Sequence, residues 1–395
     1  MLDSPEQQFL LNVLRNEDKN ASEKELDNII KDEIEWDNVW IHPKLEPTLY
    51  FLLKDSYKDM GIPEGLFNTW KKAYLNTAIY NDTRFDVIYR LASECKKSNI
   101  DIIFLKGSAE ILTVYKENIG LRPMNDIDVL VKPSDMDSAE SILSELNFKS
   151  CLRANISREE QLAKMHKLEF TRRYSPNIDV EVCLHKALFG KTERMFSFSQ
   201  DWLLEKHFKN KIEVGFKDGT ILIPDTDTLI ETLILHGVQE DHFPYRIGKV
   251  WFLEEPSDIY YFEYDQEQHF LLMAYRLKKI LGYFRDNINW NNITKDLARF
   301  RTDYRIKQFL CFYRYSKTGG IPDEFYSLFG IPETISEKFW RRMTRKTDAM
   351  FLNNAKFLVL EKEMKARTFF ISLITYIFGL KNILRIKNLY RRFLK

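Results

Sequence analysis

The sequence predicts an α+β fold, with a strand-bearing centre set between two helical regions. Three observations carry this expectation. Gly (14) and Pro (12) together make up under 7% of the chain, about half their usual share, which favours long helices over many tight turns. Apolar residues recur at helical spacing near both ends of the sequence. Between about residues 100 and 184 that spacing gives way to short apolar and alternating runs bounded by turn residues.

Helices account for residues 1–92. Phe9, Leu10, Val13 and Leu14 share one helical face, Ser22 and Glu25 form a capping-box pair, and Trp70 to Cys95 repeats apolar residues with helical period. The centre, 93–222, opens with the apolar run Ile100–Leu105. A tight turn on Gly107 follows, then a helix through Ile111, Leu112 and Tyr115. Asp126-Ile-Asp-Val-Leu-Val131 begins by alternating and ends apolar, as a strand covered on both faces does. Pro133-Ser134 precedes a helix over 135–146, and strands over 166–174 and 178–184 flank the turn Ser175-Pro-Asn177. The third region, 223–395, is helical from Asp225 onward and ends in a basic tail (Lys381, Arg385, Lys387, Arg391, Arg392, Lys395).

Composition narrows the function. Lys and Arg total 59 against 58 Asp and Glu, a net charge of +1 over 395 residues. That balance argues against a protein that coats nucleic acid or an anionic membrane, so an anionic ligand needs a local basic pocket. Four scattered cysteines without a CxxC pair exclude a disulfide framework and a Cys-rich zinc module, and fit a reducing, cytoplasmic setting. The acidic start lacks the features of a signal peptide. Thr368–Leu380, the one long uncharged apolar run, has thirteen residues where a membrane span needs about 20.

The chemistry gathers in Leu105-Lys-Gly-Ser-Ala, Arg122-Pro-Met-Asn-Asp126-Ile-Asp128 and Ile178-Asp-Val-Glu181. Asp126 and Asp128, two apart on a strand, point to one face and repel each other unless a cation lies between them. A Mg²⁺ held by one or two carboxylates and by substrate phosphates meets that need, and Mn²⁺ has the same oxygen preference. Glu181 or Asp179 supplies a third carboxylate from another strand. Gly107 and Ser108, at a strand-to-helix turn, offer close backbone approach and free N–H groups to a phosphate, with Lys106 and Arg122 as neutralising cations.

These residues resemble the pattern of the DNA polymerase β-type nucleotidyltransferase superfamily: a hydrophobic-Gly-Gly/Ser turn, a hydrophobic-Asp-hydrophobic-Asp/Glu strand and a later carboxylate strand. Within it, LKGSAEIL…GLRPMNDIDVLV is similar to an uncharacterised bacterial nucleotidyltransferase-like family with the signature LKG…R…DIDLLV. His166-Lys-Leu-Glu-Phe170, Glu181-Val-Cys-Leu, Ile223-Pro-Asp-Thr-Asp with Leu235-His236, and Ser257-Asp258-Ile259 extend the likeness over roughly 95–325. Many relatives carry Glu-Leu-His-Trp where this chain has Glu181-Val-Cys183-Leu.

The resemblance implies a polymerase β-like core, a small mixed sheet with helices. It also implies transfer of a nucleoside monophosphate from an NTP to an acceptor, with release of pyrophosphate. In that reading Asp126, Asp128 and Glu181 bind the metal, Asp179 shares the catalytic role, and Lys106, Gly107, Ser108 and Arg122 bind the nucleotide. The acceptor is a small molecule, a protein or a tRNA. Two other readings are a catalytically degenerate nucleotide- or partner-binding module of a biosynthetic or defence system, and a toxin-like transferase acting on tRNA or protein. Cys183 reads as a small core residue, His236 as a core histidine, and the basic tail as a docked helix in preference to a peripheral membrane helix.

Overall fold

A computed structural model of the chain describes residues 5–15, 41–151, 167–188, 201–237, 256–300, 304–316 and 319–336, with isolated positions between them. His166, the Ser22 capping box, the side chains of His236 and Asp258, the run 368–380 and the basic tail lie outside the described residues.

The centre is a mixed seven-stranded sheet of order β3-β4-β5-β2-β1-β7-β6. Its strands are β1 (Ile103–Phe104), β2 (Asp126–Leu130), β3 (Lys149–Ser150), β4 (Lys167–Ser175), β5 (Ile178–His185), β6 (Ile212–Phe216) and β7 (Gly219–Ile223). β2 runs parallel to β5 and β1 to β7; the other pairings are antiparallel. This is the α+β architecture that the sequence predicts, a mixed sheet with helical regions around it.

Alternation fixes the register of the central strands. Ile127 and Val129, Val180, Val182 and Leu184, and Leu168 and Phe170 are all buried at 1% exposure or less. They project to one side, and each contributes roughly 1.5–3 kcal/mol of burial free energy. A one-residue slip of β2 would drive Asp126 and Asp128 into that apolar layer, so the hydrophobic pattern also aims the carboxylates.

Two features differ from the expectation. The turn into the first core helix falls on Lys106, which takes a left-handed φ of 49°, and the helix runs over Lys106–Leu112 with Gly107 inside its first turn. Gly107 is needed for packing: a Cβ there would lie 2.9 Å from the Met124 sulfur and 3.1 Å from an Arg122 guanidinium nitrogen. Gly107→Ala is expected to cost about 1–3 kcal/mol by overpacking, measured by urea unfolding. The β6–β7 hairpin is the second difference. Its two-residue loop, Lys217-Asp218, places Lys217 at φ 50°, as a tight hairpin requires at its first loop position.

The helices are α1 (Pro5–Arg15), α2 (Glu46–Leu53), α3 (Glu64–Lys97), α4 (Lys106–Leu112), α5 (Met136–Glu145), α6 (Asp201–Lys209), α7 (Thr226–Gly237), α8 (Pro256–Tyr283), α9 (Trp290–Leu297), α10 (Tyr304–Tyr315) and α11 (Asp323–Leu328). The 34-residue α3 packs against α2 with its first half and against α5, β5 and β7 further on. Asn81 of α3 donates from Nδ2 to the carbonyls of Ile119 and Arg122, and the Arg84 guanidinium donates to the Asn125 carbonyl at 3.1 Å. These bonds fasten the segment that leads into β2.

α1 is tied to the far end of the sequence. Lys278 Nζ on α8 donates to the Leu14 and Arg15 carbonyls, satisfying groups that a helix C-terminus leaves open, and Arg15 Nε donates to the Ser316 carbonyl. α7 packs on α4, α8, α9 and α10 and is capped by Asp225, whose carboxylate accepts from the Thr228 N–H at 2.9 Å. Lys206 of α6 joins Glu231 of α7 to Asp296 of α9 at 2.7 and 2.6 Å. Burial opposes the charge of Lys206, and the two carboxylates outweigh it, so its pKa is raised.

Candidate functional site

Period-two geometry sets the polar side of β2, β4 and β5. Registration pairs Asp126 with Glu181 and Asp128 with Cys183 across the parallel strands, and Glu169 with Cys183 and Lys167 with His185 across the antiparallel ones. All of these side chains point away from the apolar layer. Asp126, Asp128 and Glu181 therefore meet on one face, as the sequence predicts.

The contacts run diagonally. His185 Nε2 lies 2.6 Å from Asp128 Oδ1, and Lys106 Nζ donates to the same oxygen at 3.4 Å. Cys183 Sγ donates to Asp126 Oδ2 at 3.2 Å and to Glu181 Oε1 at 3.6 Å. Lys167 Nζ donates to Cys183 Sγ at 3.1 Å and pairs with Glu169 at 3.2 Å. Two sets of donor atoms result: Asp126, Glu181 and Cys183, and Asp128, Cys183 and His185, the atoms of each set lying within 4.8 Å of one another. Oxygen, sulfur and imidazole donors this close, three of them carboxylates, suit a divalent ion.

The electrostatics are those of a concentrated anionic face. Burial, then Asp126 and Glu169, push the Glu181 carboxyl above its ordinary range. Burial and the two aspartates also push the Cys183 thiol up. Lys167 loses hydration, but the sulfur and both aspartates more than compensate, so its ammonium is strongly held. On α3, burial lowers the pKa of Arg84 while Asp126 acts against that shift.

Other predicted residues stand elsewhere. Asp179 lies on β5 two residues before Glu181, exposed, with Arg173 Nε at 3.1 Å; it is not brought into the carboxylate group. Arg122 is buried and donates from Nε to Glu110 Oε2 at 2.7 Å, and through another nitrogen to the Pro123 carbonyl. Arg276 of α8 closes on the same carboxylate, Nε to Oε2 at 3.0 Å, with a second bond to Oε1. Burial would raise the Glu110 pKa, but the two guanidiniums reverse this and hold it at about 2. Ser108 is 1% exposed, and its hydroxyl has no partner among the described residues.

Lys167 and Glu169 lie in the landmark run His166-Lys-Leu-Glu-Phe170, but the sequence reading gives them no role in the site. Their signal is parity: they alternate with the buried Leu168 and Phe170 on a strand whose neighbour holds Glu181. Cys183 is buried as expected, but among carboxylates and a lysine instead of apolar side chains.

The profile of a family described as uncharacterised nucleotidyltransferase matches residues 32–302, more than two thirds of the chain. That span takes in every residue of the polar face and both partners of Glu110. No curated protein matches the chain.

Proposed function

Because the chain belongs to this uncharacterised nucleotidyltransferase family, we propose that it moves a nucleoside monophosphate from an NTP to a hydroxyl or phosphate of an acceptor, releasing pyrophosphate. The observation that carries the reading is the shared polar face of β2 and β5, where Asp126 and Glu181 fall in one donor set and Asp128 in a second, beside the Lys106 turn. A bound divalent ion, Mg²⁺ or Mn²⁺, supplies charge neutralisation of the triphosphate and a lowered pKa for the attacking oxygen.

The chain's own groups do the rest. Asp126 and Glu181 would hold an ion from adjacent strands, and Asp128, fixed from two sides by His185 and Lys106, would offer its carboxylate from the same face. With Asp179 engaged by Arg173, Glu181 is the third carboxylate and the acceptor for the proton of the attacking hydroxyl. Lys106, at the mouth of the face, neutralises phosphate oxygens, while Gly107 and Ser108 shape the backbone beneath it. Arg122 is committed to Glu110 and sets the position of α4. Most of the acceleration then comes from positioning and fixed charge.

The test is incubation of purified protein and a cell extract with an NTP labelled at the α- or the γ-phosphate. Label from the α position should enter an acceptor (small molecule, protein or tRNA) only with divalent metal present, and label from the γ position should not. Transfer of γ-label, or α-transfer insensitive to chelation, would overturn the reading.

A further inference from the structure

We infer that His185 is a positioning residue for nucleotidyl transfer: its Nε2–H holds the Asp128 carboxylate in place for the divalent ion, and its ring is not itself a ligand. The inference rests on the transferase reading above and deepens it by giving a role to the histidine of the polar face.

The strand register brings the pair together. His185 stands opposite Leu130 on β2, and Asp128 opposite Cys183 on β5, so the two side chains are diagonal neighbours of equal parity on one face. The Val131 N–H donates to the His185 carbonyl at 3.0 Å, which fixes the backbone that carries the imidazole. Both side chains are sealed from solvent, at 1% and 6% exposure, and Nε2 lies 2.6 Å from Oδ1. A carboxylate buried this far needs a donor to offset its lost hydration. Lys106 Nζ, at 3.4 Å, stands farther off than the roughly 2.7–2.9 Å of a strong charge-assisted bond, so the imidazole sets the orientation.

The same contact decides between ligand and support. Asp128, Cys183 and His185 offer donor atoms within 4.8 Å of one another, which by spacing alone would admit His185 as a ligand. An ionised carboxylate only accepts, so the proton of the 2.6 Å bond is on Nε2. A nitrogen that bears a proton has no lone pair left for a metal. Two ligands of one octahedral Mg²⁺, bonded at about 2.0–2.1 Å, also stand roughly 3 Å apart, wider than this pair. His185 therefore acts through Asp128, as the hydrogen-bonding partners of ligating carboxylates do. Loss of such a partner typically costs roughly 10–100-fold in metal affinity or activity.

The test is Mn²⁺ titration of the full chain, read by the electron paramagnetic resonance of the free ion, with pulsed spectra of the bound ion and α-label transfer on the same samples. His185→Gln keeps an amide donor near the place of Nε2; His185→Asn, which is shorter, and His185→Leu do not. His185→Gln should bind Mn²⁺ within about threefold of the parent, and the other two roughly 10–100-fold more weakly. Transfer should fall in the same order, the deficit should shrink at saturating Mn²⁺, and no nitrogen coupling to the bound ion should appear. Circular dichroism and thermal melting check that each variant is folded. A coordinated nitrogen in the parent spectrum, parental affinity in both His185→Asn and His185→Leu, or equal loss in all three variants would overturn the role of His185 and leave the transferase reading intact. Mn²⁺ affinities in the expected order without α-label transfer would overturn that reading and keep His185 as the support of the ion site. Absence of Mn²⁺ binding by the parent would overturn both.

Discussion

Asp126→Asn and Asp128→Asn should each lower nucleotidyl transfer by about 10³-fold or more, while the unfolding midpoint stays within a few degrees of the parent. Each change removes a full negative charge from the place where the ion and the triphosphate must meet. Loss of a single preorganised electrostatic contact costs roughly 10²–10³ in turnover, and loss of a metal ligand adds to that. The fold tolerates the change because these carboxylates stand on the polar side of β2, opposite the buried Ile127 and Val129. Removing one of several crowded negative charges even relieves repulsion. Asp128→Asn should be the worse folded of the two, since Asp128 is 5% exposed and is bonded to both His185 and Lys106. Rates by label transfer and melting by circular dichroism separate chemistry from folding. Retained transfer in the double variant would refute the assignment.

The second large effect concerns stability. Glu110→Gln should destabilise the chain by about 3–5 kcal/mol, because it leaves the Arg122 and Arg276 guanidiniums buried without a counter-ion. Replacing the whole triad at once, by Glu110→Leu, Arg122→Met and Arg276→Met in one chain, should recover much of that loss, since apolar side chains of similar volume carry no desolvation cost. The pH dependence has a defined sign. The Glu110 pKa is depressed in the fold to about 2, so its contribution is complete above the unfolded value near 4.5 and is lost as pH falls toward 2. A shift of that size corresponds to on the order of 3 kcal/mol. In urea titrations the gap between wild type and Glu110→Gln should therefore be widest near neutrality and narrow steadily below pH 4.5. A gap that widened in acid would contradict the triad's role.

The triad also explains how helical regions far apart in sequence serve one site. Glu110 lies on α4, directly behind the Lys106 turn, and Arg276 reaches it from α8, which also anchors α1 through Lys278. Disturbing Arg276 should thus shift the Lys106 turn as well as the stability.

Much of this was legible in the sequence, and the reasons are physical. Strands β2, β4 and β5 announce themselves because one face is buried and the other polar, and period two writes that into the residues. Asp126, Asp128 and Glu181 could be brought together for the same reason: equal parity on neighbouring strands means a shared face. The β6–β7 hairpin passed unread because its exposed residues, Ile212, Glu213 and Gly215, blur the alternation; only Lys217-Asp218-Gly219 marks the turn.

What sequence could not supply were choices among long-range partners. Arg122 stands four residues before Asp126, yet its ion pair is Glu110, shared with a guanidinium 166 residues away. Asp179 and Glu181 have the same parity, and the exposed Arg173 opposite Asp179 separates them. Gly107 looked like a turn glycine, whereas Met124 and Arg122 press on it from a loop whose course no local pattern records.

The most direct measurement is anomalous diffraction from a crystal grown with Mn²⁺ and a non-hydrolysable NTP. The account predicts an anomalous peak bonded to carboxylate oxygens of Asp126, Asp128 and Glu181, with the triphosphate beside Lys106. A peak on other residues, or a nucleotide bound with no metal on this face, would contradict it.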